Sequence, residues 1–234
     1  MDCLYIIIPA YNEEENVESV AEEWHKVAET AGGDSRLVII NDGSKDRTYE
    51  KLQALQKRLP RLVALTKQNG GHGATVLYGY HYALGQNADY IFQTDSDGQT
   101  LPSEFAAFWE QRADYSAVIG YRKGRQDGIS RIFVTKTLKF VLWCIFCLDI
   151  KDANTPFRLI KREALKEHIQ KIPKDFNLSN VMLTVSLLNA KENVKFMPIT
   201  FRPRQGGVNS INFKKIVKIG IQSVKDFRMI KKNM

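Results

Sequence analysis

Two carboxylates stand one residue apart where an apolar strand opens into a polar loop. Residues 90–92 are apolar and run into the sequence QTDSDGQ, which holds Asp95 and Asp97. Residues two apart in a strand share a face, so the two carboxylates can point together, and the side-chain oxygen of Gln99 could join them. Mg²⁺ and Mn²⁺ prefer oxygen ligands, and Mg²⁺ is usually held by carboxylates together with substrate phosphates. The pattern predicts a divalent-cation site shared with a diphosphate; an ordinary turn is the alternative.

Two further loops carry polar groups that could bind a nucleotide. Asp42 follows the apolar run 37–40, and its carboxylate could accept hydrogen bonds from a nucleobase or a ribose hydroxyl. Capping of the helix that follows is the alternative role for Asp42. The sequence NGGHG at 69–73 has glycines that let the backbone approach a ligand ahead of a helix N-terminus. We expect His72, in this loop, to be exposed and not to act as a catalytic base.

Basic residues cluster after the fifth predicted strand. They are Arg122, Lys123, Arg125 and Arg131. Arginine forks pair well with phosphate, so their position downstream of a predicted diphosphate site favours an anion pocket. A solvated surface loop is the alternative.

Apolar runs alternate with helical segments in the first half of the chain. Such alternation predicts βαβ units and a mostly parallel sheet, in which ligands bind beyond the carboxyl ends of the strands. The polar loops described above all follow strands, so we expect them to meet at one edge of the sheet. The predicted strands are 4–8, 37–40, 62–65, 90–92, 118–119, 157–160 and 196–201. The predicted helices run from a cap at Asn12 to about 30, from the 41–46 loop to about 59, from about 73 to 85, and over 102–112, 131–148 and 177–188.

The composition indicates one globular domain. The chain has 234 residues, of which 44% are hydrophobic and 26% are charged. The longest apolar run, 140–148, is well short of the roughly 20 residues that span a bilayer, and no cleavable signal pattern precedes the first strand. We therefore expect a cytosolic or peripheral membrane protein. Cys144 and Cys147 lie inside the apolar run, and we expect them to be buried, inert thiols.

The carboxyl end of the chain carries the excess positive charge. Residues 201–234 contain nine Lys or Arg and one acid, Asp226, so this segment accounts for the net charge of +8. A nucleic-acid binder usually spreads basic charge over a binding face, so this distribution argues against nucleic acid as a partner. Apolar residues recur at helical spacing over 213–230, which predicts a basic amphipathic helix. Its apolar stripe could lie on a membrane or pack on the protein's own core.

Four segments, in this order and spacing, resemble the family 2 glycosyltransferases of the GT-A fold. The closest likeness is to the dolichol-phosphate mannosyltransferase and polyprenyl-phosphate glycosyltransferase branch. The segments are IPAYNE at 8–13, NDGSKDRT at 41–48, NGGHGA at 69–74 and DSDGQ at 95–99. The second half resembles the family at 120–122, at Arg131 with Thr135, at 152–158, and at Arg204 with Gly207.

The resemblance implies a fold and a set of site residues. The fold would be a Rossmann-like, mostly parallel sheet flanked by helices over 1–212, followed by a basic amphipathic tail over 213–234. Nucleotide-sugar binding would fall to Pro9, Tyr11, Glu13, Ile40, Asp42, Asp95, Ser96 and Arg204. The metal ligands would be Asp95, Asp97 and Gln99. The acceptor phosphate would be faced by Arg122, Arg131 and Thr135, and catalysis would depend on Asp95, Asp97 and Arg131.

The implied activity is that of a metal-dependent, inverting glycosyltransferase. It would use Mg²⁺ or Mn²⁺ to move a sugar from a UDP- or GDP-linked donor to a dolichyl or undecaprenyl phosphate. The enzyme would be peripheral on the cytoplasmic face of the membrane, and a membrane-embedded protein is a further partner that the resemblance allows. A phosphate acceptor is already ionised, which fits a sequence without a convincing general base.

Two alternatives to this activity stay open from the sequence. The first is a glycosyltransferase of the same fold that acts on a saccharide, which would need a general base. The second is a nucleotide-binding subunit without turnover, although both Asp95 and Asp97 are retained.

The chain departs from the family pattern in three places. Asn41 stands where the family usually has Asp, and Thr155-Pro156 replaces Ser-Gly. Asn209-Ser210 replaces a Ser-Lys pair, so a lysine for the donor phosphate is missing from its usual position.

Overall fold

The structure, a computed structural model, describes residues 2–122 and 129–203 and six positions near the carboxyl end. Those six are residues 222, 224, 226–228 and 231. Between 129 and 136 it describes the backbone alone. Arg204, the segment with Asn209-Ser210 and most of the predicted tail helix lie outside the described residues, as do Lys123 and Arg125.

A seven-stranded sheet forms the centre of the molecule. Its order is β3-β2-β1-β4-β6-β5-β7, and every neighbouring pair is parallel except those that involve β6. The strands are β1 (Leu4–Ala10), β2 (Arg36–Asn41), β3 (Leu62–Thr66), β4 (Tyr90–Gln93), β5 (Ala117–Arg122), β6 (Arg158–Lys161) and β7 (Val194–Ile199). The predicted mostly parallel α/β sheet is confirmed. β6 runs antiparallel between β4 and β5, a direction that the sequence pattern did not predict.

Seven α-helices cover the two faces of the sheet. They are α1 (Val17–Ala31), α2 (Thr48–Gln56), α3 (His72–Gly85), α4 (Phe105–Glu110), α5 (Ile129–Phe146), α6 (Arg162–Ile169) and α7 (Ser179–Asn189), counted within the described residues. All residues of β1 are buried, as expected of a central strand whose two faces both carry helices. On one face α1, α2 and α4 pack around Trp24, Phe92 and Phe157. On the other face α3, α5, α6 and α7 bury a larger apolar cluster.

The first helix begins later than predicted. Asn12 has φ 54° and lies in a loop, and α1 starts at Val17 after Asn16. The expected cap at Asn12 is therefore wrong, and only Glu18 remains as an acidic residue in the first turn of α1. α6 was not predicted at all. It is short and follows β6 directly, so no turn signal separates the two elements.

The cysteine prediction is also wrong. Cys144 is exposed because the buried side of α5 is formed by Leu142, Ile145 and Phe146, and Cys147 is exposed just past the end of that helix. A helix that is apolar all round gives no sequence signal for which side faces inward. Among the residues that the structure describes, no helix combines the length and apolarity needed to cross a bilayer.

A buried arginine ties the second half of the chain to the sheet. Arg158 on β6 is fully buried and donates to the carbonyl oxygens of Thr155, Ala153 and Asn180 at 2.6–3.2 Å. Burial lowers the pKa of Arg158, but an arginine guanidinium keeps its charge in proteins. Since buried charges must be hydrogen-bonded, this side chain fixes both the loop before β6 and the start of α7.

The described part of the tail packs on the protein's own core. Phe227 is fully buried, with its ring centroid 6.2 Å from that of Phe146 and 6.1 Å from that of Phe176. Val224 packs against the same cluster. At these positions the predicted apolar stripe faces the core, which is the second of the two alternatives weighed from the sequence.

Replacing Phe227 should therefore destabilise the whole domain. Phe227→Ala removes a fully buried ring, and such truncations cost about 3–5 kcal/mol of unfolding free energy. Arg228→Ala, at the exposed neighbouring position, is the matched control and should change it by less than about 0.5 kcal/mol. Urea unfolding followed by circular dichroism measures both. Equal stability of the two variants would contradict the packing of the tail.

Candidate active site

The loops after β1 and β2 are joined by hydrogen bonds. The backbone N–H of Asn12 donates to Ser44 Oγ at 3.0 Å, and Lys45 N–H donates to Asn12 Oδ1 at 2.8 Å. The N–H of Glu13 donates to Thr48 Oγ1 at 2.8 Å. These bonds explain why Asn12 adopts the left-handed conformation, which asparagine tolerates better than most residues. They hold the two loops together at the carboxyl edge of the sheet.

Most of the predicted nucleotide-binding residues meet at this edge. Pro9 and Ile40 are buried and face each other across β1 and β2, and Tyr11 is half-buried in the loop that follows. Glu13 is buried, and its Oε2 accepts a hydrogen bond from Asn16 Nδ2 at 2.8 Å. Glu13 therefore also helps to shape the turn into α1.

The carboxylate of Asp42 fastens the glycine-rich loop to the end of β2. Its Oδ1 accepts from Lys67 Nζ at 2.5 Å and from Gly70 N–H at 2.9 Å, and its Oδ2 accepts from Gly71 N–H at 2.9 Å. Asn69 Nδ2 donates to the carbonyl oxygen of Asp42 at 2.8 Å. Three of the roughly four lone-pair sites of the carboxylate are thus used within the protein. Oδ2 retains capacity for one more donor, such as a nucleobase N–H.

Asn41, where the family usually has Asp, has a structural role. Its Nδ2 donates to Thr66 Oγ1 at 2.9 Å, and its Oδ1 accepts from Ser44 N–H at 3.2 Å. The amide thus links β2 to β3 and to the loop after β2. A carboxylate could not make the donating half of this pair.

The loop after β4 places Asp95 and Asp97 at the same edge. Asp95 has 27% of its side chain exposed, and Asp97 Oδ1 accepts from Gln99 N–H at 3.1 Å. Gln99 Nε2 donates to the carbonyl oxygen of Arg202 at 2.8 Å, and Arg202 N–H donates to the carbonyl oxygen of Gln99 at 2.8 Å. Arg202 also donates from Nη2 to the carbonyl oxygen of Gly98 at 3.1 Å. Arg202, which sequence reasoning missed, therefore holds the loop in place.

The donor set of this loop fits a hard divalent cation. Asp95 and Asp97 supply carboxylate oxygens, and the amide nitrogen of Gln99 is committed to Arg202, which leaves its side-chain oxygen as the potential ligand. Ser96, between the two carboxylates, is buried. The residues predicted as metal ligands thus have the chemistry that Mg²⁺ or Mn²⁺ prefers.

Another group of ligating side chains lies at the opposite edge of the sheet. Glu167, His168 and Glu192 bring ligand atoms within 4.8 Å of one another. His168 is hydrogen-bonded to Ser186 at 2.8 Å, and Glu192 accepts from Ser116 at 2.5 Å. His168 Nε2 also lies 3.3 Å from Glu192 Oε1, so these contacts join α6, α7 and the residue before β5 in one structural network.

His72 contacts the predicted metal site directly. Its Nε2 lies 2.9 Å from Asp95 Oδ1, although half of the His72 side chain is exposed. Partial removal of water lowers the pKa of His72, but the carboxylates of Asp95, Asp97 and Asp42 raise it by more, so the pKa lies above its ordinary value. The sequence predicted the exposure of His72 and missed this contact.

Two glycines around His72 are required by the backbone. Gly71, which precedes α3, has φ 88°, a conformation that residues with a Cβ rarely adopt. A Cβ on Gly73 would lie 2.2 Å from the carbonyl oxygen of Phe176 and 2.4 Å from that of Asn177. The first turn of α3 therefore packs directly on the backbone of the loop before α7.

The predicted acceptor residues are only partly described. Arg122 forms a bidentate ion pair with Asp152, at 2.7 Å from Nε and 2.9 Å from Nη2, and its guanidinium lies 5.1 Å from the ring centre of Phe201. The role of Arg122 toward an acceptor phosphate stays a prediction. The structure adds Asp152 as the ion-pair partner of Arg122. Arg131 and Thr135 lie on α5, but their side chains fall outside the description.

Comparison with known proteins gives both family and fold. A family model described as Glycosyl transferase family 2 matches residues 5–169. A dolichyl-phosphate beta-glucosyltransferase of Trichomonas vaginalis is 28% identical over 188 residues, 70% of this chain and 57% of that protein. An undecaprenyl-phosphate 4-deoxy-4-formamido-L-arabinose transferase of Pectobacterium carotovorum is 29% identical over 140 residues, 58% of this chain and 42% of that protein. The chain thus spans about half the length of these curated relatives.

A solved structure shows the fold. The glucosyl-3-phosphoglycerate synthase of Mycobacterium tuberculosis, crystallised with Mn²⁺, UDP and glucosyl-3-phosphoglycerate, matches with a TM-score of 0.70 at 15% identity. The match covers 98% of this chain and 80% of that protein. The GT-A fold expected from the sequence is confirmed.

Because α3 packs on the loop before α7, replacing two glycines of this helix by alanine should have different effects on the unfolding free energy. Gly73→Ala should lower the unfolding free energy by about 1–3 kcal/mol, because its Cβ would meet backbone oxygens that cannot rotate away. Gly85→Ala, at the other end of α3, meets nothing within 4 Å and should be neutral or stabilising by up to about 1 kcal/mol. Denaturant unfolding of both variants measures the difference. A neutral Gly73→Ala would contradict the tight packing.

Proposed function

The chain belongs to glycosyltransferase family 2, and we propose that it transfers a sugar from a nucleotide sugar to a polyprenyl phosphate. The observation that carries this proposal is the meeting of the Asp95–Asp97 loop with the Asp42 loop at the carboxyl edge of the sheet. The names of the relatives, which act on dolichyl and undecaprenyl phosphates, support the choice of acceptor. The reaction would take place at the cytoplasmic face of a membrane, and the proposal needs no membrane-embedded partner protein.

The donor nucleotide would lie over the carboxyl ends of β1 and β2. Residues Pro9, Tyr11, Glu13 and Ile40 would contact it, and Asp42 would use the remaining capacity of Oδ2 for a base or ribose donor. Ser96 would lie beside the diphosphate, and Arg204 is proposed to reach the same group.

The loop after β4 would hold the cation. Asp95, Asp97 and the side-chain oxygen of Gln99 are the proposed ligands of Mg²⁺ or Mn²⁺. When bound, the cation neutralises the diphosphate leaving group, which is worth several kcal/mol of transition-state stabilisation. Arg202 keeps this loop in position through its backbone bonds with Gln99.

The acceptor phosphate needs orientation more than activation. It is ionised at neutral pH, so its oxygen can attack the sugar without a strong general base. Arg131, Thr135 and Arg122 are proposed to face it, and the Asp152 partner would hold Arg122 in a fixed orientation. The two arginine side chains and the threonine hydroxyl would thus place the attacking phosphate oxygen on the side of the sugar opposite the leaving group, as inversion requires.

The outer side of α5 is proposed to rest on the membrane. Phe140 and Trp143 expose 63% and 57% of their surface, and the exposed Cys144 lies beside them on the same helix. Tryptophan and other aromatic residues favour the headgroup region, and an apolar helix face can be buried there. Because the tail at Phe227 packs inward, the proposed membrane contact rests on α5.

Transfer to a lipid phosphate tests the proposed function. Purified protein is incubated with UDP- and GDP-sugars, Mn²⁺ or Mg²⁺, and undecaprenyl or dolichyl phosphate, and the labelled lipid is extracted. Product is expected only with the lipid phosphate and a divalent cation. Transfer to saccharides but not to lipid phosphate would favour the saccharide acceptor, and nucleotide binding without any turnover would favour a regulatory subunit.

Removal of one proposed metal ligand should strongly reduce transfer. Asp97→Ala is expected to lower kcat/KM by about 100-fold or more and leave the unfolding free energy nearly unchanged, because the carboxylate lies on a partly exposed loop. The control is Asp34→Ala, whose carboxylate is exposed and 4.0 Å from Arg36. Full activity of the wild-type protein in excess EDTA would contradict the proposed requirement for a divalent cation.

The membrane contact is tested with vesicles. The double variant Phe140→Ser/Trp143→Ser should bind vesicles containing anionic lipid at least about tenfold more weakly, because two exposed apolar rings are lost. Tyr78→Ser, at an aromatic residue that is 42% exposed on α3, is the matched control and should bind normally. Co-sedimentation measures all three proteins. Undiminished binding by the double variant would exclude α5 as the contact.

A further inference from the structure

We propose that His72 is a positioning residue that orients the carboxylate of Asp95 for the metal. The inference rests on the proposed function, because it assumes that Asp95 is a metal ligand. It explains why a histidine stands in the middle of a glycine-rich loop, a position to which the sequence pattern alone assigned no role.

The contact between His72 and Asp95 has a defined direction. The Nε2 atom lies 2.9 Å from Asp95 Oδ1, a normal distance for a hydrogen bond to a carboxylate. An ionised carboxylate only accepts, so the hydrogen must lie on Nε2. The bond occupies Oδ1 and would leave Oδ2 available to the proposed cation. Metal-binding carboxylates are commonly held by such a second hydrogen bond, whose loss weakens metal binding.

The backbone of His72 is fixed from two sides. On one side the N–H groups of Gly70 and Gly71 donate to Asp42, which is itself buried at the end of β2. On the other side Gly73 packs so closely on residues 176 and 177 that a Cβ at this position would clash with their carbonyl oxygens. The backbone that carries the imidazole is therefore held in place. A side chain that orients another side chain needs such support.

The loop also connects the two halves of the site. Asp42 belongs to the proposed nucleotide-binding edge and Asp95 to the proposed metal loop, and the segment 70–72 contacts both. His72 thereby sets the orientation of Asp95 relative to the end of β2. A metal and a nucleotide diphosphate that share one site need this orientation.

Binding of Mn²⁺ tests the proposal without relying on turnover. Electron paramagnetic resonance follows the titration of the full chain with Mn²⁺ in the presence of UDP, and in parallel GDP, at constant pH. His72→Ala is expected to raise the Kd for Mn²⁺ by about 10–100-fold. His81→Ala, at an exposed histidine on the same helix, is the control and should bind Mn²⁺ as the wild type does.

A pair of amide variants separates orientation from a general structural effect. The amide nitrogen of His72→Gln reaches about as far as Nε2 and should keep Mn²⁺ affinity within about threefold of wild type, whereas His72→Asn is too short and should lose it as His72→Ala does. Thermal unfolding of each variant, without metal, checks that the proteins are folded.

The outcomes separate this inference from the proposed function. Wild-type affinity in His72→Ala, or equal affinities of the Gln and Asn variants, would overturn the positioning role alone. A wild-type protein that binds Mn²⁺ no better than Asp97→Ala would overturn the proposed metal site, and this inference with it.

Discussion

A buried carboxylate at the end of β2 determines the arrangement of this site. Asp42 is almost inaccessible to water, and a charge in that position is tolerated only when it is paired and hydrogen-bonded. Lys67 and two backbone N–H groups meet this requirement, and all three come from the segment that leads into α3. The need to satisfy one charge therefore fixes where α3 begins. From there the position of His72 and its contact with Asp95 follow.

The apolar pattern predicted the elements of the first half better than those of the second. Runs such as 4–8 and 37–40 lie in central parallel strands, where both faces are buried and the sequence is continuously apolar. The direction of β6 could not be read in the same way. A short apolar strand looks alike whether it runs parallel or antiparallel, and its partners β4 and β5 lie far away in the chain. The start of α1 was misplaced for a related reason, since Asn12 is held by the distant residues Ser44 and Lys45 and not by its own helix.

The site residues also divide into those predicted by the local sequence and those that depend on distant contacts. The placement of Asp42, Asp95 and Asp97 at one edge was predictable. Asp42 follows β2, Asp95 and Asp97 lie in the loop after β4, and parallel strands bring their carboxyl ends to one edge. The partner of Arg122 was not predictable, because Asp152 is 30 residues away and reaches it only through the reversal at β6. His72 was noticed and assigned no role, since a histidine between glycines has no local signal for a carboxylate 23 residues downstream. Side chains that act through long-range contacts need the fold before their role can be inferred.

Under the proposed function, α5 joins the chemistry to the membrane. Its first turns carry Arg131 and Thr135, the proposed acceptor residues, and its outer face carries Phe140 and Trp143 near the other end. A helix rises about 1.5 Å per residue, so Arg131 and Phe140 are roughly 14 Å apart along the axis. A headgroup layer is only about 5–8 Å deep, so α5 would lie nearly parallel to the surface, with its first turn at about the level of the lipid phosphate. A single rigid helix can thus rest on the bilayer with its aromatic stripe and hold its first turn at the level of the phosphate. Phe227 packs against Phe146 on the buried side of α5 and helps to hold this helix in place. With α5 held on the bilayer in this way, the lipid need not leave the membrane to react.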